Sequence, residues 1–182
     1  MGTQSDLATK HEAGGTQSGH AETPLAPAQT ATPPTDVPGE GNLPGQQLAR
    51  KRFTSECANR DFSYFRLQDC EATGITFRKC VFQHCLFERC YFRNAIFQDC
   101  DFTGARFVDC NLRGAQLITC KLEYTSYRGT VLDRAQFASN LPLWENVKGE
   151  VARSLRINAQ SLGDYEGVNY FVNVEMDSTL EH

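Results

Sequence analysis

Charge of one sign is missing from this chain: 18 basic and 22 acidic residues among 182 leave a net charge of only −4. That balance excludes a general nucleic-acid binder, because phosphate neutralisation requires clustered Lys and Arg, and no nucleic-acid partner is expected. No stretch approaches the ~18 consecutive apolar residues of a membrane-spanning helix. The N-terminus also lacks the apolar run of a secretory signal peptide. G-x-S-x-G, the P-loop, the dinucleotide-binding glycine motif and H-E-x-x-H are all absent. The four histidines are scattered at 11, 20, 84 and 182. Neither an enzyme nor a cofactor or metal requirement is expected.

Residues 1–52 lack Phe, Tyr and Trp altogether, yet hold six of the seven prolines and seven of the fourteen glycines. Such a segment buries too little apolar surface to offset the entropy of ordering it. It reads as a disordered leader or linker. Its Ser/Thr/Gln/Pro-rich composition also resembles the secretion leaders of bacterial type III effectors, which implies a secreted effector as one alternative role.

What is present begins after a short lead-in at 53–60. From 61 to 140 the chain repeats in fives, and one position is Phe or Leu almost throughout: Phe62, Leu67, Phe77, Phe82, Phe87, Phe92, Phe97, Phe102, Phe107, Leu112, Leu117, Leu122, Leu132 and Phe137. Only Ala72 and Tyr127 depart from it. Two residues before each comes a mostly small or sulfur side chain, such as Cys90, Ala95 or Cys100. A period of five fits neither a helix at 3.6 nor a strand at 2; it fits a chain that turns a corner every five residues.

NLRGA-QL and DFTGA-RF resemble the A-(D/N)-L/F-x-x motif of the pentapeptide-repeat family. The resemblance implies an all-β solenoid, a right-handed parallel β-helix of square cross-section with four pentapeptides to a coil. Sixteen repeats then make four coils, and residues i and i+20 stack at the ordinary strand spacing of about 4.8 Å. Four interior columns follow: Phe62–Phe82–Phe102–Leu122, Leu67–Phe87–Phe107–Tyr127, Ala72–Phe92–Leu112–Leu132 and Phe77–Phe97–Leu117–Phe137. Ala72 leaves a gap among the aromatics for Ile75 or Phe65.

Seven of the eight cysteines occupy the small inward position, so they read as buried apolar fillers. Columns Cys70–Cys90–Cys110 and Cys80–Cys100–Cys120 are close enough to oxidise, though parallel side-chain vectors strain such a bond. A metal site with His84 is disfavoured, because His84 points outward where Cys85 points inward. Reduced thiols favour a cytoplasmic setting.

On the outside, the columns Asp69–Arg89–Asp109 and Lys79–Asp99 predict cross-coil charge ladders. The repeats hold ten basic and nine acidic residues. Long, strongly acidic family members mimic DNA and bind gyrase, and four near-neutral coils do not match that role. The position before the large residue reads Val81, Leu86, Tyr91 and Ile96 in consecutive repeats. This apolar belt around one coil is the candidate contact surface for another protein.

Residues 141–182 lose the period. Pro142 is placed to start a helix, and Trp144, Val147, Val151, Leu155 and Ala159 follow at helical spacing. Gly163 can close it and Asp164 can cap the next, whose apolar face is Tyr165, Val168, Phe171, Val172 and Met176. This hairpin reads as a cap over the last coil or as a homodimer face. It also resembles helical extensions that precede a membrane channel domain in some family members. Leu180-Glu181-His182 looks like the start of an appended histidine tag, so a soluble cytosolic module of a longer membrane protein is a further alternative. The leading expectation is a non-enzymatic protein-interaction scaffold, partner unnamed.

Overall fold

The computed structural model describes residues 45–180; residues 1–44 of the expected tail, and Glu181 and His182, lie outside them. Nine short strands follow one another: β1 (Gln47–Ala49), β2 (Cys57–Ala58), β3 (Arg66–Gln68), β4 (Thr76–Arg78), β5 (Leu86–Glu88), β6 (Ile96–Gln98), β7 (Arg106–Val108), β8 (Gln116–Ile118) and β9 (Ser126–Arg128). They form two parallel sheets, β1-β3-β5-β7-β9 and β2-β4-β6-β8. The other two faces are closed by single bridges, Asp61–Val81–Asp101–Lys121 and Glu71–Tyr91–Asn111–Val131. The register steps by twenty residues, as in Leu67↔Phe87↔Phe107 and Phe77↔Phe97↔Leu117. This is a parallel β-solenoid of about four turns with a helical C-terminal part.

Every fifth residue turns the chain through a left-handed backbone conformation: Tyr64, Asp69, Lys79, His84, Arg89, Asn94, Asp99 and Asp109 all have φ between 50° and 63°. L-residues resist this region, so the inter-coil hydrogen bonds made around each corner must outweigh it. His84 N–H donates to Thr103 O at 2.9 Å and Asn94 N–H to Arg113 O at 3.0 Å. At Gly104 the corner also needs space, because a Cβ there would lie 2.4 Å from His84 Nδ1.

Stacked rings fill the interior. Phe62, Phe82 and Phe102 lie parallel at 5.0 and 5.1 Å, and Phe87, Phe107 and Tyr127 at 4.6 and 5.4 Å. Tyr127 departs from the repeat at no polar cost: its hydroxyl hydrogen-bonds Thr125 Oγ1 at 3.1 Å, and that hydroxyl donates to Leu122 O. Beside Ala72, Phe65 is buried 6.1 Å from Phe62 and Ile75 packs partly buried. Phe53 adds a ring 5.3 Å from Phe77.

Both ends of the solenoid differ from the period-five reading. Strand pairing begins at Gln47, inside the span read as tail, because Leu48↔Leu67 and Arg52↔Glu71 step by nineteen. The missing residue falls between Phe53 and Cys57, since Cys57↔Phe77 steps by twenty again. That deletion breaks the pattern and hides three further repeats. At the other end the last repeat is not a strand: α1 (Arg134–Ala138) replaces it while Phe137 stays buried.

Helices α2 (Glu145–Leu162) and α3 (Tyr165–Leu180) pack against each other, and α2 packs on β9. Pro142 does not start α2, which begins three residues later behind Trp144 in extended conformation. Gly163 ends α2 at φ 73°, and Asp164 Oδ1 accepts Gly167 N–H at 2.9 Å to open α3. Glu175 locks the pair, with Arg153 Nε on one oxygen at 2.7 Å and Arg156 Nε on the other at 2.8 Å. Burial opposes its ionisation, but those two hydrogen bonds outweigh it and hold the carboxyl below its ordinary range.

Candidate interaction surface

A solenoid edge left open exposes a row of unpaired backbone groups. Here polar side chains stand where the backbone of the next coil would. Asp133 Oδ2 accepts Gly114 N–H at 2.7 Å, and Gln136 Oε1 accepts Leu117 N–H at 3.2 Å. Asn140 accepts from Cys120 N–H and donates to Leu117 O, both at 3.1 Å. Ser154 Oγ accepts Tyr127 N–H at 2.8 Å. Asn158 bridges both backbone groups of Thr130, at 2.9 and 2.8 Å. Below them Val147, Val151, Leu155 and Phe171 are buried, Val168 and Val172 are half-buried, and Trp144 and Tyr165 remain 74% and 81% exposed. Trp144 lies off the face because it precedes the helix. In α3 the buried row instead runs through Gly167, Phe171 and Ser178, since small residues allow the helices to approach: a Cβ on Gly149 would lie 3.3 Å from Ser178 Cβ.

The belt is dispersed by the square section. Val81 belongs to one bridged face, Leu86 to the β3-β5-β7 sheet, Tyr91 to the second bridged face and Ile96 to the β4-β6-β8 sheet. Val81, Leu86 and Ile96 are half-buried, and Tyr91 alone is exposed, at 38%. A flat partner reaches one or two of them at a time.

All eight cysteines are free and buried. Each inward thiol donates to a carbonyl of the preceding coil, for example Cys85 to Phe62 O at 2.6 Å, Cys90 to Leu67 O at 3.2 Å and Cys120 to Phe97 O at 3.2 Å. An added inter-coil hydrogen bond, which Ala95 or Ala105 cannot make, is the physical advantage of sulfur at this position. Among the described residues no cluster of three or more His, Cys, Asp or Glu could hold a metal ion. Nor is any helix there long and apolar enough to cross a membrane.

Burial pushes the Cys85 thiol from its ordinary 9.0 up to about 12 and Cys57 to about 11. Unfolded thiols ionise near 9, so this contribution to stability is complete below pH 9 and is lost as the pH rises towards 12. Melting temperature is therefore expected to fall between pH 9 and 11, less steeply in Cys85→Ala. Equal slopes in the two proteins, measured by circular dichroism, would contradict the assignment.

Outer charges pair across coils in two geometries. Along one corner Arg89 holds Asp69 with two hydrogen bonds, at 2.8 and 3.1 Å. Diagonally, Arg66 Nε meets Glu88 at 2.6 Å and Arg78 Nε meets Glu56 at 3.1 Å. The expected Lys79–Asp99 rung does not form as an ion pair; Asp99 accepts the Thr119 hydroxyl at 2.7 Å instead. The sheet face also carries a shallow cavity of about 380 Å³ over β5, β7 and β9, lined by Leu86, Glu88, Arg106, Val108, Ser126 and Arg128 among others.

The coil geometry, the left-handed corners and the inward Phe/Cys rows coincide with a match to the family model described as a pentapeptide repeat region, over residues 75–164. The chain is a pentapeptide-repeat protein. No curated protein matches it. Among solved structures it is similar to a trypsin-treated form of QnrB1, a plasmid-mediated fluoroquinolone resistance protein, at 15% identity and TM-score 0.38 over 49% of this chain and 54% of that one. It is similar also to Rfr23, a pentapeptide-repeat protein of the cyanobacterium Cyanothece 51142, at 18% identity and TM-score 0.25 over 48% and 64%. A pentapeptide-repeat protein of the Arabidopsis thaliana thylakoid lumen matches at 14% identity and TM-score 0.28 over 52% and 76%. The chain thus spans about half the length of the QnrB1 structure it matches. For this pentapeptide-repeat protein the position left unread in the sequence was the corner. Its signal was present, as Gly, Asn or Asp recurs there at Asp69, Gly74, Asn94, Asp99, Gly104, Asp109, Gly114 and Gly129, the residues that tolerate left-handed backbone best.

Proposed function

We propose that this pentapeptide-repeat protein is a non-enzymatic scaffold that binds another protein through an outer face of its solenoid. The carrying observation is the packed interior: rings, thiols, leucines and alanines form one buried cluster along it, so the flat outer faces are what a partner can meet. The hairpin serves as the cap of the last coil, because its apolar row and its polar side chains are spent on β9 and its neighbours. Eight free thiols suit a reducing compartment, so we place the protein in the cytoplasm.

The test uses the full chain as bait alongside Val81→Ser, Leu86→Ser, Tyr91→Ser and Ile96→Ser, one for each face. One variant is expected to lose a partner that the other three retain, with melting temperature within a few degrees of the parent. A partner set unchanged by all four substitutions would count against contact through the belt. Turnover of any substrate by the purified chain would count against the scaffold itself.

A further inference from the structure

The two diagonal ion pairs on the solenoid share one geometry. Arg66 and Glu88 are twenty-two residues apart, as are Glu56 and Arg78, and each pair closes to between 2.6 and 3.1 Å. Two coils beyond Arg66 the same diagonal holds Arg106 and Arg128. Two guanidiniums thus occupy positions that elsewhere receive a guanidinium and a carboxylate. Both are exposed, and neither makes an ion pair or side-chain hydrogen bond among the described residues. Like charges on adjacent strands destabilise a sheet, so this pair lacks the internal rationale of the other two.

The cavity of about 380 Å³ lies over this pair. Half-buried Leu86 and Val108 contribute apolar surface beside the two arginines. The one carboxylate in its lining, Glu88, is already engaged by Arg66 at 2.6 Å. What the site lacks is a carboxylate between two guanidiniums, which bind that group with paired N–H donors.

Resting on the scaffold reading, we propose that the β5-β7-β9 face docks an extended acidic segment of a partner protein, with one Asp or Glu carboxylate bridging Arg106 and Arg128. Alternate residues of an extended chain face the same way, so an apolar side chain two residues from that carboxylate can meet Leu86 or Val108, the neighbours of Arg106 and Arg128 on the preceding coil. Arg clusters that read acidic motifs are a recurring mode of peptide recognition.

The probe is a fluorescein-labelled peptide, Gly-Leu-Ser-Asp-Ser-Leu-Gly, compared by anisotropy with the same peptide carrying Asn for Asp. The Asp peptide is expected to bind the full chain at least tenfold more tightly than the Asn peptide. Arg106→Gln/Arg128→Gln should erase that difference. Arg93→Gln/Arg113→Gln, which removes two arginines from another face, should preserve it. Arg128→Glu supplies the missing carboxylate within the chain, so it should abolish peptide binding without lowering the melting temperature. The proposal is overturned if the Asp peptide fails to bind, or if the Arg93/Arg113 variant loses binding as fully as the Arg106/Arg128 variant. Failure here combined with loss of a partner in Tyr91→Ser or Ile96→Ser would remove this face and leave the scaffold reading standing.

Discussion

Replacing Phe82 with Ala is expected to destabilise the solenoid by about 3–5 kcal/mol, lowering the melting temperature by about 10 °C or more. Phe82 is 1% exposed. Its ring stacks between Phe62 at 5.0 Å and Phe102 at 5.1 Å, and it meets Phe87 at 5.6 Å and Phe77 at 5.8 Å. A cavity at that point cannot close, because the backbone on every side is held by the inter-coil ladder. Stability in a repeat protein is roughly a sum over neighbouring units, so a residue between two coils matters more than one at an end. Phe53→Ala, in the first turn, is therefore expected to cost clearly less than Phe82→Ala. Equal losses in denaturant melts of the two variants would contradict a layered interior.

The second large effect belongs to the cap. Asn158 is 3% exposed, and its amide satisfies both the N–H and the C=O of Thr130, itself fully buried. Asn158→Ala strands both groups away from water, at about 1–3 kcal/mol for each unsatisfied group. Ile157→Ala, the neighbouring exposed position on α2, is expected to stay within about 0.5 kcal/mol of the parent. Hydrogen exchange gives the sharper readout: the Tyr127 and Thr130 amides should lose protection in Asn158→Ala while the Phe82 and Phe87 amides keep theirs. Unchanged protection at Thr130 would show that the hairpin does not seal the last coil.

Repetition made most of the fold legible. A residue such as Phe82 or Cys90 has much the same local environment as its equivalents five and twenty positions away, so one inference covers the repeats up to the start of α1. The inward thiols and the stacked Phe columns follow from that. Where the chain breaks its own rhythm, reading by period fails. One deleted residue before Cys57 conceals the strand at Gln47–Ala49, and α1 stands in the place of the sixteenth repeat although Phe137 keeps the period. Trp144 carries helical spacing yet lies outside the helix, since nothing in the local pattern fixes where α2 begins.

The surface shows the same division. Val81, Leu86, Tyr91 and Ile96 are regularly spaced in sequence, and that regularity is what sends them to four different faces. Arg106 and Arg128 are unremarkable twenty-two residues apart until the coil places them on one diagonal beside Leu86 and Val108. The sequence alone determined the solenoid, its period and the composition of its interior, because those depend on local turns repeated at fixed intervals. Only the tertiary structure decided where the solenoid starts and stops, what seals its edge and which charges go unanswered, because those depend on register between coils, and one residue more or less changes every contact across them.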